Sequence, residues 1–314
     1  MKGLDLIKVV GVGGSGGNAI TRMFQKRKKF ADKLELIAIN CDLQDLRQTK
    51  SDIKIQIGKK ITKGFGAGAN PEIGYKAALE QKEEIKKSLE GAKIVFITCG
   101  LGGGTGTKGS SVVAEVSKKE IGALTVGIVT LPFSFEGIER KKIAQSGLKL
   151  LRDNVDSLIV IENDRLLTQI NEKTNIFDAF WKCDEVLQDI VFGMANLLFS
   201  VGFINIDFAD IKEIMKDSGN TLFGLGKGKG ENKLKDAAYN AISSPFSNIS
   251  IDGAKGIIFN VFVNNDVGLR ELEEAAKIIT EKASPSSKVI FGVTQEKTIP
   301  KDEAKIIVIA TGIE

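Results

Sequence analysis

Along the first half of the chain, short apolar runs rich in β-branched residues alternate with stretches whose apolar positions recur at helical spacing. The runs at Ile7–Val12, Leu34–Ile39, Ile53–Ile57, Ile94–Thr98, Leu124–Thr130 and Ser157–Ile161 predict strands. Helical spacing predicts helices over Pro71–Leu89, with Asn70 as N-cap and Pro71 at the first helical position, and over Glu136–Arg152. Strands alternating with amphipathic helices are the pattern of a parallel sheet with crossover connections, so this half reads as a doubly wound α/β domain.

From Ile176 to Phe199 the residues Phe177, Phe180, Trp181, Val186, Leu187, Ile190, Val191, Met194, Leu197 and Leu198 keep helical spacing for more than six turns. So long and broadly apolar a helix is expected to be buried, between two domains that it couples. Beyond it the pattern predicts helices near Phe208–Lys216 and Glu231–Ser243, a strand at Gly256–Val263, a helix at Leu269–Ala283, and strands at Val289–Val293 and Lys305–Ala310. This tail reads as a smaller α+β domain. Gly224–Gly230, in which glycine alternates with Leu and Lys, is expected to be a flexible loop. The expected division is 1–175, a connecting helix at 176–200, and 201–314.

Composition narrows the chemistry. The 314 residues suit two domains, and 42% hydrophobic with 27% charged residues is ordinary for a globular protein. There is no histidine, which excludes imidazole acid–base work, Ser-His-Asp and Cys-His nucleophiles and His-ligated zinc. No dedicated metal-ligand set stands out. The three cysteines, Cys41, Cys99 and Cys183, form no C-x-x-C and are expected to be reduced thiols of a cytoplasmic protein. A net charge of +4 does not argue for nucleic acid, and no run approaches the roughly 20 apolar residues that a bilayer requires. No signal-peptide pattern opens the sequence.

Three glycine-rich segments fall where strands hand over to helices. Gly11, Gly13 and Gly16 match G-x-G-x-x-G after the first strand, and Asp42 follows the second, so a dinucleotide reading is open. The window Gly100–Thr107 holds five glycines and two threonines ahead of a helix expected to begin near Lys108. Consecutive glycines let backbone N–H groups converge on an anion at a helix N-terminus. A dehydrogenase has no use for this second loop, and no G-x-x-x-x-G-K-[ST] occurs. The third segment, Gly64–Asn70, is either a mobile loop or a further phosphate contact.

The run Gly102-Gly-Gly-Thr-Gly-Thr107 resembles the tubulin signature loop, and the whole chain resembles FtsZ, the tubulin-like GTPases of prokaryotic cell division. Further matches are Gly13-Gly-Ser-Gly-Gly-Asn-Ala19, Gly66–Glu72, Leu131–Gly137 with Arg140, Asn163–Leu167, Asn205–Lys212 and Ile251–Ala254. The resemblance implies the tubulin/FtsZ fold: a Rossmann-like GTPase domain, a central helix and a smaller activation domain. It implies GTP and GDP as ligands, with Mg²⁺ and, as a further candidate, a monovalent cation such as K⁺. It assigns the phosphates to Gly13, Gly14, Gly17, Asn18, Gly102, Gly103, Gly104, Thr105, Gly106 and Thr107, with Ala67, Gly68, Ala69 and Asn70 over the γ-phosphate. Glu136 and Arg140 match ribose contacts, Asn163 and Asp184 the residues that read the guanine edge, and Phe180 the ring that packs on the base. Without the resemblance, Phe180 reads equally as a core aromatic.

Asn205, Asp207 and Asp210 match the loop that enters the nucleotide pocket of the next subunit, where two carboxylates would polarise the attacking water. From the residues alone, Asp207 caps the helix at Phe208 and Asp210 sits in its first turn. The resemblance further implies head-to-tail protofilaments, placement at the division site, and membrane-tether or division-protein partners whose usual binding tail is absent from this sequence. Two departures stand out. Lys108 replaces the family's glycine and is expected near the phosphates or a subunit interface, where it would alter hydrolysis or nucleotide release, the alternative being a polymer or nucleotide-binding regulator with weak or absent hydrolysis. A solvated lysine pointing away is the other reading. Glu162 replaces a proline before Asn163. Lys26-Arg-Lys-Lys29 reads as a solvated helix end or a contact for acidic partners.

Overall fold

In the computed structural model, residues 7–30, 33–167, 175–200, 202–243, 249–264 and 267–313 are described. They divide into two units, Met1–Asp189 and Ile190–Glu314.

The first unit runs β1 (Ile7–Val12), α1 (Gly13–Lys26), β2 (Leu34–Asn40), α2 (Leu43–Gln48), β3 (Ile53–Gln56), α3 (Pro71–Glu80), α4 (Lys82–Leu89), β4 (Ile94–Gly100), α5 (Thr105–Glu115), β5 (Leu124–Leu131), α6 (Ile138–Arg152), β6 (Ser157–Glu162) and α7 (Asn163–Leu167). Its strands lie in the order β3-β2-β1-β4-β5-β6, every pair parallel. Strand order reverses at β1, with β2 on one side and β4 on the other. Such a reversal opens a crevice at the carboxyl ends of the strands, where α/β proteins bind ligands. The core beside it is aliphatic, with Val10, Ile37, Ile39, Val95, Ile97, Val113 and Val129 buried.

Each expected strand of this half is present, and three helix boundaries differ. Pro71–Leu89 is two helices, because Gln81 leaves helical geometry while its side chain accepts the Gly58 N–H at 2.5 Å. The neighbouring Glu80 side chain accepts the Lys60 N–H at 3.0 Å. The helix after β5 begins at Ile138 rather than Glu136, since Gly137 at φ 100° separates it from a 3₁₀ turn over Ser134–Glu136. The signature helix begins at Thr105, not near Lys108, so its first turn is built from the loop's own residues.

The long helix α8 (Ile176–Phe199) has the expected bounds, its residues to Asp189 counted with the first unit and those from Ile190 with the second. Val186, Leu187, Ile190, Val191 and Met194 are buried, whereas Phe180 and Trp181 are 40% and 51% exposed, against the expectation of burial throughout. The side chain of Phe177 lies outside the described residues.

The second unit continues with α9 (Phe208–Met215), β7 (Gly219–Lys229), α10 (Lys233–Ile242), β8 (Gly256–Val263), α11 (Leu269–Thr280), β9 (Lys288–Gln295) and β10 (Glu303–Thr311). Its strands lie in the order β7-β10-β8-β9, the first two pairs antiparallel and the last parallel. The expected loop at Gly224–Gly230 is instead most of β7, paired with β10 from Thr221 to Lys229. The reason is packing. A Cβ on Gly224, Gly226 or Gly228 would lie 1.8, 1.9 and 2.0 Å from the carbonyl oxygens of Ala241, Ala237 and Lys233 on α10. The glycines therefore let strand and helix touch backbone to backbone, a close approach that glycine alone allows.

Candidate functional site

The carboxyl ends of β1, β2, β4 and β5 open onto a cavity of about 570 Å³ in the first unit. Several helices begin at its wall, α1 and α5 among them. α1 starts at Gly13 and α5 at Thr105, and neither has a side-chain cap, whereas Asp42 caps α2 and Asn70 caps α3. The first N–H groups of α1 and α5 are thus left for an anion, and both helix dipoles favour one. Gly13, Gly14, Asn18, Gly103, Gly104, Thr105 and Gly106 line this end.

The loop before α5 is held by its own threonine. Buried Thr107 accepts the Gly102 N–H at 2.9 Å through Oγ1 and donates that hydroxyl to the Gly103 carbonyl at 2.5 Å. Gly102 takes φ 100° and faces Arg140. Gly104 lies against the facing loop, so that a Cβ there would stand 2.8 Å from Ala67 Cβ and 3.0 Å from Asn70 N. Ala67, Gly68 and Ala69 of that loop line the cavity, Ala69 in the left-handed region at φ 59°.

Four of the expected phosphate residues do not line it. Thr107 and Gly102 shape the loop from behind, Asn70 Oδ1 accepts the Glu72 N–H at 3.0 Å as the cap of α3, and Gly17 faces Thr49. In the nucleotide-free chain their polar groups are committed within the protein or their Cα faces it.

At the other end, Glu136 Oε1 accepts the Phe133 N–H at 2.8 Å and Oε2 pairs with Arg140 Nη1 at 2.8 Å, both side chains lining the cavity. Asn163, at the start of α7, is buried and its Oδ1 has no partner. Asp184 on α8 is also buried, its Oδ2 2.9 Å from Arg22 Nε. Burial pushes the Asp184 carboxyl up to about 6, against the opposing charge and hydrogen bond of Arg22. Phe180 stands edge-on to Phe133 at 5.3 Å and, 40% exposed, is a wall of the cavity rather than core. An orphaned buried oxygen and a carboxylate suit a base carrying N–H donors, as guanine does at N1 and N2.

Other lining residues fall outside the expected set. Asn40, Asp42 and Asp45 stand where β2 ends, with Asn40 Nδ2 donating to Asp45 Oδ2 at 2.7 Å. Burial, then the charge of Asp42, raises the Asp45 carboxyl. Asp42 had a sequence signal through its place after β2, and Asp45, three residues on, had none. Cys183 also lines the wall, its thiol pushed by burial up to about 12 and so kept protonated. Lys108 does not line the cavity; it is ion-paired with Glu72.

Asn205, Asp207 and Asp210 belong to the second unit. Asn205 Oδ1 accepts the Gly202 N–H at 2.7 Å. Asp207 Oδ1 accepts the Asp210 N–H at 2.9 Å and Asp210 Oδ2 the Asp207 N–H at 3.1 Å, a reciprocal cap on α9. Each bond uses one carboxylate oxygen, so capping leaves the other free for chemistry.

Residues 6–171 match the GTPase domain of the Tubulin/FtsZ family, and residues 219–314 match the C-terminal domain of the FtsZ family. An FtsZ dimer from M. jannaschii is 42% identical, with 98% of this chain and 88% of that one covered and a TM-score of 0.88. The chain belongs to the FtsZ family. A Tubulin/FtsZ GTPase domain binds GTP and GDP. The fold extends to more distant chains. CetZ2 from Haloferax volcanii, a GTPγS-bound protofilament, is 18% identical with 98% and 93% covered and a TM-score of 0.85. CetZ1 from the same organism, a GDP-bound monomer, is 21% identical with 98% and 94% covered and a TM-score of 0.82. Among the described residues of this FtsZ-family chain no helix is long and apolar enough to cross a membrane.

Proposed function

We propose that this chain is the subunit of a GTP-driven cytoskeletal polymer of cell division, assembling head to tail and completing its GTPase site between subunits. The observation that carries this reading is the separation of the two halves of the chemistry. The first unit offers two uncapped helix N-termini at one cavity, while the carboxylates suited to orient water, Asp207 and Asp210, belong to the second unit. Asn205, Asp207 and Asp210 of one copy would enter the cavity of the next. A heterologous contact of that kind propagates as a filament.

Exposed apolar residues support association at both surfaces. Phe65 and Ile138 are 88% and 75% exposed in the first unit, Phe203 and Leu269 76% and 80% in the second. The similar M. jannaschii FtsZ forms a dimer and CetZ2 a protofilament.

In the reaction, backbone N–H groups of Gly13, Gly14 and Gly103–Gly106 would hold the phosphates, and Ala67–Ala69 would sense the γ-phosphate, with Asn70 holding their loop to α3. One of the two aspartates would take the proton of the attacking water. Asp42 and Asp45, on the cavity wall, would be the carboxylates available to a Mg²⁺ that would supply charge neutralisation, with K⁺ a candidate second ion. None of this needs imidazole. The working division is 1–175 for nucleotide binding, 176–200 for the connecting helix and 201–314 for activation, in a cytoplasmic protein placed at the division site.

GTP turnover measured across protein concentration tests the reading. Activity per subunit should rise steeply above a threshold concentration, and constant activity per subunit would reject catalysis between copies.

A further inference from the structure

Arg22, on α1, does not line the cavity but stands directly behind one of its walls. Its Nε donates to Asp184 Oδ2 at 2.9 Å, and the two side chains are 21% and 8% exposed. Its guanidinium carbon lies 3.9 Å from the centre of the Trp181 ring, so the planar group is gripped between a carboxylate and an indole. Arg22 Nη1 is buried without a hydrogen-bond partner, so Asp184 is the anion that the cation meets at hydrogen-bond distance, while Glu185 adds its charge from farther off.

We propose that Arg22 is a specificity-determining positioning residue, which by holding one oxygen of Asp184 presents that carboxylate to the base as acceptors matched to guanine and mismatched to adenine. The inference rests on the reading of Asp184 as the residue that meets the base. Guanine offers donors at N1 and N2, whereas adenine has an acceptor at N1. An ionised Asp184 pairs with the former. A protonated Asp184 offers its own donor, which opposes guanine N1–H and suits adenine N1.

Arg22 decides which form is present. Burial favours the neutral acid, and Arg22 is the partner that opposes it. The other charges nearby are engaged elsewhere. Lys182 and Lys26 pair with Glu185 at 2.8 and 3.9 Å, and Glu136 pairs with Arg140. Cys183, the adjacent thiol, is neutral. Discrimination between GTP and ATP should therefore fall as pH drops through about 6, the region in which Asp184 titrates.

The test is binding of GTP and of ATP to the full chain between pH 5 and 8.5, for the wild type, Arg22→Met, Arg22→Lys and Asp184→Ala. Arg22→Met should lose about tenfold of the GTP preference at pH 7 and move the fall to higher pH. Arg22→Lys, which restores the charge, should return the profile toward wild type. An unmoved profile in Arg22→Met, with the preference lost in Asp184→Ala, overturns the role of Arg22 alone. A preference retained in Asp184→Ala overturns the base-reading role and this proposal with it. Trp181 is the single tryptophan of the chain, and it supplies a readout that needs no Arg22 variant. Its emission in nucleotide-free protein should change with a midpoint near pH 6 and lose that transition in Asp184→Asn. Flat wild-type emission would overturn the proposal.

Discussion

Lys108 in the first turn of α5 is ion-paired with Glu72 in the first turn of α3. A lysine at a helix N-terminus opposes the dipole, and Glu72 compensates it while being well placed at the start of its own helix. The pair ties together two helices that begin beside the cavity without entering it, so Lys108 is neither at the phosphates nor a free solvated side chain.

Replacing Lys108 with Met keeps a good helix former and removes the pair. Stability should fall by no more than about 1 kcal/mol, less in high salt, because Glu72 is largely exposed. Turnover at fixed polymer concentration should stay within about twofold. A tenfold change in GTPase rate would put Lys108 back into the chemistry.

The reciprocal cap lets the catalytic role proposed for Asp210 be separated from its structural one. Asp210→Asn keeps an acceptor for the Asp207 N–H, so thermal stability should hardly move, while GTP turnover should fall by about 10² or more. Asp210→Ala should lose both, with about 1 kcal/mol of stability gone. GTP affinity of the isolated subunit should survive either change, and calorimetric titration checks it.

Gly104→Ala places a methyl between the two loops that meet at the cavity, 2.8 Å from Ala67 Cβ. Backbone has to move to admit it, at roughly 1 to 3 kcal/mol. The expected result is a folded protein whose GTP affinity is down tenfold or more, read by fluorescent-nucleotide displacement. Unchanged affinity would mean that the loops need not approach.

Burial raises the Asp184 carboxyl from 3.8 to about 6, so the folded chain binds a proton that the unfolded chain has released between those values. By linkage, this group makes the nucleotide-free protein less stable as pH rises across that window, by on the order of 3 kcal/mol at pH 7. A guanine that donates to the carboxylate reverses the shift, so GTP binding near pH 6 should release a fraction of a proton and binding at pH 8 almost none. Calorimetry in buffers of different ionisation enthalpy reads the difference directly.

The parallel half of the fold was legible because Ile, Val and Leu runs such as Ile94–Thr98 bury both faces and carry their own signal. β7 was not, because its glycines mean something only once α10 is pressed against them. At the site, the glycine loops announced an anion, but whether a given glycine meets the ligand or a neighbour is a matter of facing. Gly103 has open space beyond its Cα while Gly17 meets Thr49. Arg22 carried no signal at all. Its partners, Trp181 and Asp184, lie about 160 residues away on α8, and a single arginine on an amphipathic helix reads as surface.

The contact between β7 and α10 leaves no side chain to act as a cushion, since the carbonyls of Lys233, Ala237 and Ala241 rest on bare Cα atoms. Strand and helix cannot loosen by rotamer changes, only by parting along the whole seam. Amide hydrogens of Leu222–Gly228 and of Ala237–Ala241 should therefore exchange with solvent deuterium as one opening unit, at a common free energy. The most glycine-dense run of the second unit would then be among its slowest to breathe.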